Sequence, residues 1–186
     1  MKIDQSDVEY VTIPRGEYEF RQGTHRRTGI VCFESWVLGA KYHRPDGPAL
    51  TVRDALTGAL TDEIWRYDGR VHREHGPAKI FWGDPSLPPV REEWYLKGHL
   101  SRESGPAVIQ RHRHTGAVLM ESWYRDGEIH RIGGPAITCY GEDGKPALEE
   151  LWEQDKLLGK NSIAPLPPAH PGHALRQYRQ CFYGGY

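Results

Sequence analysis

The chain has 186 residues, with 24 basic and 25 acidic side chains and a formal net charge of −1. That balance argues against a nucleic-acid binder driven by a general positive field, although a local basic strip remains compatible with it. Three cysteines, Cys32, Cys139 and Cys181, are odd in number and lack CxxC spacing, so neither a disulfide framework nor a thiolate zinc site is signalled and a reducing, cytoplasmic setting is expected.

The opening Met1-Lys2-Ile3-Asp4-Gln5-Ser6-Asp7 has no apolar h-region, and no apolar run in the chain is long enough for a spanning helix. Residues 1–29 contain two β-rich stretches, Tyr10-Val11-Thr12-Ile13 and Tyr18-Glu19-Phe20, and are expected to form an N-terminal β cap. From residue 30 to 159 one pattern recurs. Trp36, Trp65, Trp94, Trp123 and Trp152 stand 29 residues apart, and two positions before each lies a glutamate, Glu34, Glu63, Glu92, Glu121 and Glu150. Gly-Pro-Ala follows eleven positions after the first four tryptophans. In the same frame stand Arg44, Arg73, Arg102 and Arg131, preceded by His43, His72, Ser101 and His130. So many identities in one register mark a tandem array in which each unit is one supersecondary element supported by its neighbours.

Two turn signals alternate within a unit. The first is Gly39-Ala40, Asp68-Gly69, Lys97-Gly98, Asp126-Gly127 and Asp155-Lys156; Asp-Gly in particular favours a tight two-residue hairpin. The second is Thr28-Gly29, Thr57-Gly58, Thr115-Gly116 and Gly144-Lys145, with the insertion Asp84-Pro85-Ser86-Leu87-Pro88-Pro89 replacing it once. Two turns per unit leave two main strands. One carries Glu-x-Trp, and alternation places Thr61, Glu63, Trp65 and Tyr67 on one face. The other follows Gly-Pro-Ala, as in Ala78–Trp82 or Ala136–Tyr140, and His-Arg-x-x-Gly-Pro links them as a loop, since Pro is kept out of central ladders. The expected fold is all-β: five tandem antiparallel hairpins, the last partial, in an elongated sheet or open solenoid of about ten strands, each unit advancing roughly 10 Å. Leu148–Trp152 has a helical alternative by periodicity, but the Trp152 register favours strand. Residues 160–186 form a Pro-rich linker and a C-terminal cap or tail, in which Leu175, Tyr178 and Phe182 suggest one short amphipathic helix.

The unit Glu121-Ser122-Trp123-Tyr124-Arg125-Asp126-Gly127-Glu128-Ile129-His130-Arg131-Ile132-Gly133-Gly134-Pro135-Ala136 resembles the MORN-like repeats of bacterial, phage and giant-virus proteins. The resemblance covers residues 30–159. It implies stacked β-hairpins in a grooved sheet and a non-catalytic array that binds partners; some bacterial relatives with similar repeats are antitoxin components. The period here is longer, and His-Arg-x-x-Gly-Pro-Ala replaces the short His-Gly return of MORN repeats proper, so their lipid-binding role does not transfer directly.

The recurring His43, His72 and His130 cannot converge on one ion if units lie about 10 Å apart, so they are expected to hydrogen-bond a neighbouring loop or the recurring glutamate, a task Ser101 can share. His112 and His114 lack a third ligand. The tryptophans are expected to fill space between units while the glutamates pair with arginines of the same or the next unit. No nucleophile elbow or phosphate loop occurs, so no catalytic residue, metal or cofactor is expected, and Cys32 and Cys139 sit in strand patterns. Where units differ, Arg66, Tyr67, Tyr95, Leu96, Tyr124 and Arg125 form a strip mixing Tyr, Leu and Arg, of which Tyr and Arg are enriched at interface hot spots, and the strip either binds a protein partner or packs on the next hairpin. The leading expectation is a protein-binding repeat module, an inhibitor, antitoxin or immunity-type factor of bacterial or phage origin. The alternative is a peripheral membrane or phospholipid binder, which the few lysines weaken, and an enzyme comes third.

Overall fold

The computed structural model describes residues 7–162. All elements among them are strands. The N-terminal hairpin is β1 (Val8–Arg15) and β2 (Tyr18–His25), and the first unit contains β3 (Val31–Leu38), β4 (Lys41–Tyr42) and β5 (Leu50–Arg53). The second unit contains β6 (Leu60–Ile64), β7 (Arg66–Tyr67), β8 (Arg70–Val71) and β9 (Lys79–Phe81), and the third β10 (Arg91–Glu93), β11 (Tyr95–Leu96), β12 (His99–Leu100) and β13 (Val108–Arg111). The fourth contains β14 (Val118–Ser122), β15 (Tyr124–Arg125), β16 (Glu128–Ile129) and β17 (Ile137–Tyr140), and the array closes on β18 (Pro146–Glu153) and β19 (Lys156–Ser162).

The expected open, all-β array of antiparallel hairpins is what the chain forms. A 13-stranded sheet runs in the order β1-β2-β3-β5-β6-β9-β10-β13-β14-β17-β18-β19, with β4 paired to β3, and its two ends do not meet. Each full unit is richer than two strands, because a short ribbon leaves the main sheet: β7-β8, β11-β12 and β15-β16 are separate two-stranded ladders. Successive ribbons are joined by backbone bonds, for example Gly98 N–H to Val71 C=O at 2.9 Å and Gly127 N–H to Leu100 C=O at 2.8 Å. A second ladder therefore runs beside the first. β19 runs to Ser162, and the rest of the segment expected as linker and cap, with the expected helix at Leu175, Tyr178 and Phe182, lies outside the described residues.

The chain passes between the two ladders at Trp65, Trp94 and Trp123, while β3 runs on through Trp36 to pair with β4. Trp65 N–H bonds Ala78 C=O at 2.7 Å and Trp65 C=O accepts from His72 N–H at 3.1 Å, and the same pair of bonds forms at Trp36, Trp94 and Trp123. This corner interrupts strand alternation. Thr61, Glu63, Trp65 and Tyr67 therefore do not share one continuous strand face, because β6 stops at Ile64 and β7 restarts at Arg66.

Two rows of side chains cross the sheet. One alternates the recurring glutamates with the returning strands, pairing Glu34 with Thr51, Thr51 with Glu63, Glu63 with Ile80, Ile80 with Glu92, Ile109 with Glu121 and Glu121 with Thr138. The opposite face buries Val108, Met120, Ile137, Cys139 and Leu148, and Leu100, Tyr124, Ile129 and Trp152 pack against them from the ribbons. Burial of this kind contributes roughly 25 cal/mol per Å² of apolar surface and holds the ribbon layer against the sheet. Cys32 and Cys139 are buried and form no disulfide among the described residues.

The fifth unit departs from the 29-residue register. Thr138 pairs with Glu149, not Glu150, and Ile137 pairs with Glu150. Glu149 thus takes the place of Glu121, Leu151 the corner place of Trp123, and Trp152 the place of Tyr124. Arg131 N–H accordingly bonds Trp152 C=O, as Arg102 N–H bonds Tyr124 C=O. The cause is a turn shortened by one residue: 141–145 connects Tyr140 to Pro146, whereas 112–117 connects Arg111 to Val118. Because side chains alternate, a slip of one turns Glu150 to the core face, where it is 6% exposed. The hairpin turn shifts equally, to Gln154-Asp155 instead of Asp155-Lys156.

The ribbon turns have φ of 49° and 77° at Asp68-Gly69, 51° and 92° at Lys97-Gly98, and 51° and 92° at Asp126-Gly127, the left-handed pair that matches the strand twist. Lys97 is the worst suited to that conformation. Replacing Lys97 by Asn should raise stability by about 0.5 kcal/mol in urea titration, because Asn tolerates left-handed φ and Asn-Gly favours this turn. A less stable variant would mean that lysine contacts, rather than backbone preference, govern the turn.

Candidate binding grooves

The recurring side chains are sorted by what each can reach across a corner. Arg73, Arg102 and Arg131 lay their guanidinium carbons 3.9, 4.0 and 3.9 Å from the ring centroids of Trp65, Trp94 and Trp123. Each also donates Nη1–H to the proline carbonyl of its own loop, Pro77, Pro106 and Pro135, at 3.0, 3.0 and 2.9 Å. Arg44 is looser, 4.8 Å from the Trp36 ring, and adds Asp46 as an ion-pair partner. Among the described residues none of these four arginines pairs with a recurring glutamate; the expected glutamate–arginine pair forms between Glu92 and Arg111 of the same unit. The loop coils round the guanidinium and delivers it to the indole face, an attraction worth about 0.5–2 kcal/mol.

That coil requires glycine before each proline. A Cβ on Gly76 would lie 3.1 Å from Arg73 Cζ and one on Gly105 would lie 2.9 Å from Arg102 Cζ, at φ of +111° and +122°. Burial is the main influence on Arg73 and Arg102 and draws both guanidinium pKa values down, while Glu63 opposes it at Arg73 and Glu92 and Glu121 oppose it at Arg102.

The glutamates take other partners: Glu92 pairs with Arg111, and Glu121 accepts from Tyr140 Oη–H at 2.8 Å. On the other face Glu150 accepts from Trp152 Nε1–H and binds Lys160 Nζ, both at 3.0 Å. The tryptophans are half-buried. Trp36, Trp65, Trp94 and Trp123 pack under arginines instead of filling closed space between units, whereas Trp152 packs against the apolar cluster.

The histidines reach forward. His43 Nδ1 accepts from Asp68 N–H at 3.0 Å, His72 Nδ1 from Lys97 N–H at 3.1 Å and His130 Nδ1 from Gln154 N–H at 3.3 Å; Ser101 Oγ does the same for Asp126 N–H at 3.2 Å. Each unit thus holds the first left-handed residue of the next unit's turn. A neutral ring accepting at Nδ1 carries its proton on Nε2 and presents a donor there. His112 Nδ1 is engaged within its own turn by His114 N–H and Thr115 Oγ1. Among the described residues no three His, Cys, Asp or Glu side chains gather as a metal site.

Between successive loops open two grooves. The first, about 680 Å³, is lined by Arg44, Pro45, Trp65, Tyr67, His72, Arg73, Glu74 and His75. The second, about 530 Å³, lies one unit on and is bounded by Arg73, Glu74, His75, Trp94, Leu96, Ser101, Arg102 and Glu103, with Gly76 and Ser104. The sequence-derived strip divides here. Tyr67, 52% exposed, and Leu96 reach the grooves. Arg66 bonds its own turn at Gly69 C=O, Tyr95 lies under Lys79 Nζ, and Tyr124 packs on the core. Arg125 is exposed and lines neither groove. Alternation along the ribbon strand makes this division, since the residue after the corner faces the sheet and the next faces out.

Sequence reasoning missed the groove residues Pro45, Glu74, His75, Glu103 and Ser104; their variability inside an otherwise repeated loop was the available signal. It also missed a charged cluster on the core face, where Glu93, 7% exposed, pairs with Arg91 and with Lys79 at 3.5 Å. No protein-family model, curated protein or solved structure matches the chain. Among the described residues no helix is long and apolar enough to cross a membrane.

A double-mutant cycle on Trp94→Ala and Arg102→Ala, read by chemical denaturation, should give a coupling energy of about 1 kcal/mol or more. Additive losses would make the stack incidental to the loop's shape.

Burial first, and then the bond to Glu121, push the Tyr140 phenol up from its ordinary value of 10.0 to about 12. The folded state therefore holds this proton more tightly than the unfolded chain. Its contribution to stability is complete below about pH 10 and is lost as pH rises towards 12. Tyr140→Phe should be less stable at neutral pH by about 1 kcal/mol, with the difference from the parent closing across that alkaline window. A difference unchanged through the window would show that Tyr140 contributes by packing alone.

Proposed function

We propose that this chain is a non-catalytic repeat module that holds a partner protein in the grooves between its His-Arg loops. Supporting this is the placement of Tyr67 and Leu96 over two consecutive grooves floored by Trp-Arg stacks, which sets the residue types that dominate interface energetics in a repeated, half-open surface. The recurring histidines and Ser101 hold each unit to the next, while the recurring arginines are stacked on tryptophan within their own unit and line the grooves. The partner is read by the loops, their arginines included, and by the outward ribbon positions. The resemblance to MORN-like repeats agrees with a binding array, and on it rests the finer reading as a cytoplasmic inhibitor, antitoxin or immunity-type factor of bacterial or phage origin. The grooves favour a protein over a lipid surface, since they offer concave aromatic slots instead of a dense lysine and arginine cluster.

A photo-reactive phenylalanine placed at Tyr67 or at Leu96 should capture the same single protein in the native host. The same probe at Leu56, 47% exposed in the turn between β5 and β6, should capture none. Equal capture at all three positions, or adducts with lipid only, would defeat the groove reading.

A further inference from the structure

Several cations on this surface have a carboxylate: Arg111 has Glu92, Arg91 has Glu93, Lys41 has Asp68 and Arg44 has Asp46. Arg73 and Arg102 differ. Each is held by an indole face and a proline carbonyl, and the glutamates that influence them do so only as distant charges. Nη1 is engaged, while Nε and Nη2 have no hydrogen-bond partner among the described residues. His72 adds a donor at Nε2 to the first groove, because its Nδ1 accepts from Lys97 N–H. The first groove thus sets Arg44, Arg73 and His72 against the single carboxylate of Glu74, the second sets Arg73 and Arg102 against Glu74 and Glu103, and the rings of Pro45, Trp65, Tyr67 and Trp94 give them flat walls.

We propose that the two grooves together bind an extended acidic peptide whose carboxylates recur at every third residue and seat on Arg73 and Arg102. This rests on the reading of the chain as a protein-binding module and names the partner's chemistry. Geometry sets the spacing. Consecutive units are two strands apart, about 10 Å, and three residues of polyproline II span about 9 Å with the same side chain returning to the same face. Aromatic-lined grooves recognise that preformed helix in other settings. A carboxylate meets a guanidinium as a planar fork, which an ammonium could not match.

The exposed Glu74 and Glu103 enforce the interval. They stand beside Arg73 and Arg102 at the groove edges, so a ligand with charge at every position would meet glutamate as often as arginine. That disfavours nucleic acid and polyphosphate. A peptide with two neutral residues between acids avoids the clash.

The test uses the full chain and two synthetic peptides of equal composition, one repeating Glu-Pro-Pro and one with its glutamates in a block followed by the prolines. Calorimetry should show the repeating peptide binding about tenfold more tightly than the block peptide. Arg73→Gln with Arg102→Gln should abolish that preference. Because this pair also loses its stacks, a second variant changes only exposed rim groups: Glu74→Gln with Glu103→Gln should strengthen block-peptide binding several-fold and leave the repeating peptide nearly unchanged. Equal binding of the two peptides by the parent, or tighter binding of oligothymidylate than of either, would overturn the proposal. Capture of a protein at Tyr67 that the repeating peptide cannot compete away would leave the module reading standing and remove the acidic-peptide reading; absence of capture would remove both.

Discussion

Everything in this fold hangs on the corner made at the tryptophan. There the chain leaves a strand of the main sheet, and both of its backbone groups are still satisfied: the N–H bonds the alanine carbonyl of the returning strand, and the C=O accepts from the residue that closes the ribbon. A buried backbone group without such a partner costs about 1–3 kcal/mol. The Gly-Pro-Ala return is therefore fixed relative to the corner. Alanine is fully buried in all four copies, so no larger side chain fits where the two ladders part.

The arginine completes the corner, and in doing so shapes the grooves between the loops. Drawing the guanidinium onto the indole pulls the His-Arg-x-x-Gly-Pro segment into a tight coil with its carbonyl turned inward. Coils from neighbouring units stand apart with an open slot between them. The grooves are thus a by-product of stacking identical corners, and their chemistry depends on the few loop positions that the coil does not constrain, such as Pro45, Glu74 and Glu103.

Cooperation between units runs in one direction along the chain. Each histidine, or Ser101, accepts from the first residue of the next turn, and each ribbon bonds the next. Nearest-neighbour coupling of this kind makes the array quasi-one-dimensional. The core is uneven along it: Val108, Met120, Ile137, Cys139 and Leu148 make an apolar cluster, while one unit earlier the equivalent face carries Lys79, Arg91 and Glu93. Removing one member of that buried set would leave an uncompensated charge, which is costlier than losing a surface pair.

Strand content, antiparallel hairpins and the ribbon turns at Asp68-Gly69, Lys97-Gly98 and Asp126-Gly127 were legible in the sequence because each depends on residues a few positions apart. The open, repeated architecture was legible from the recurring frame. What the frame concealed was decided by contacts some twenty-five residues apart in sequence and by the length of one loop. Arginine chose tryptophan over glutamate because the corner presents the indole face to the coil, a geometry no spacing rule contains. The fifth tryptophan kept its period yet lost its place, since a turn shorter by one residue moves every following side chain to the opposite face. Only the tertiary structure could place Tyr67 and Leu96 in the grooves and Tyr95 and Tyr124 against the sheet, because alternation assigns neighbouring residues to opposite sides and packing decides which side is open.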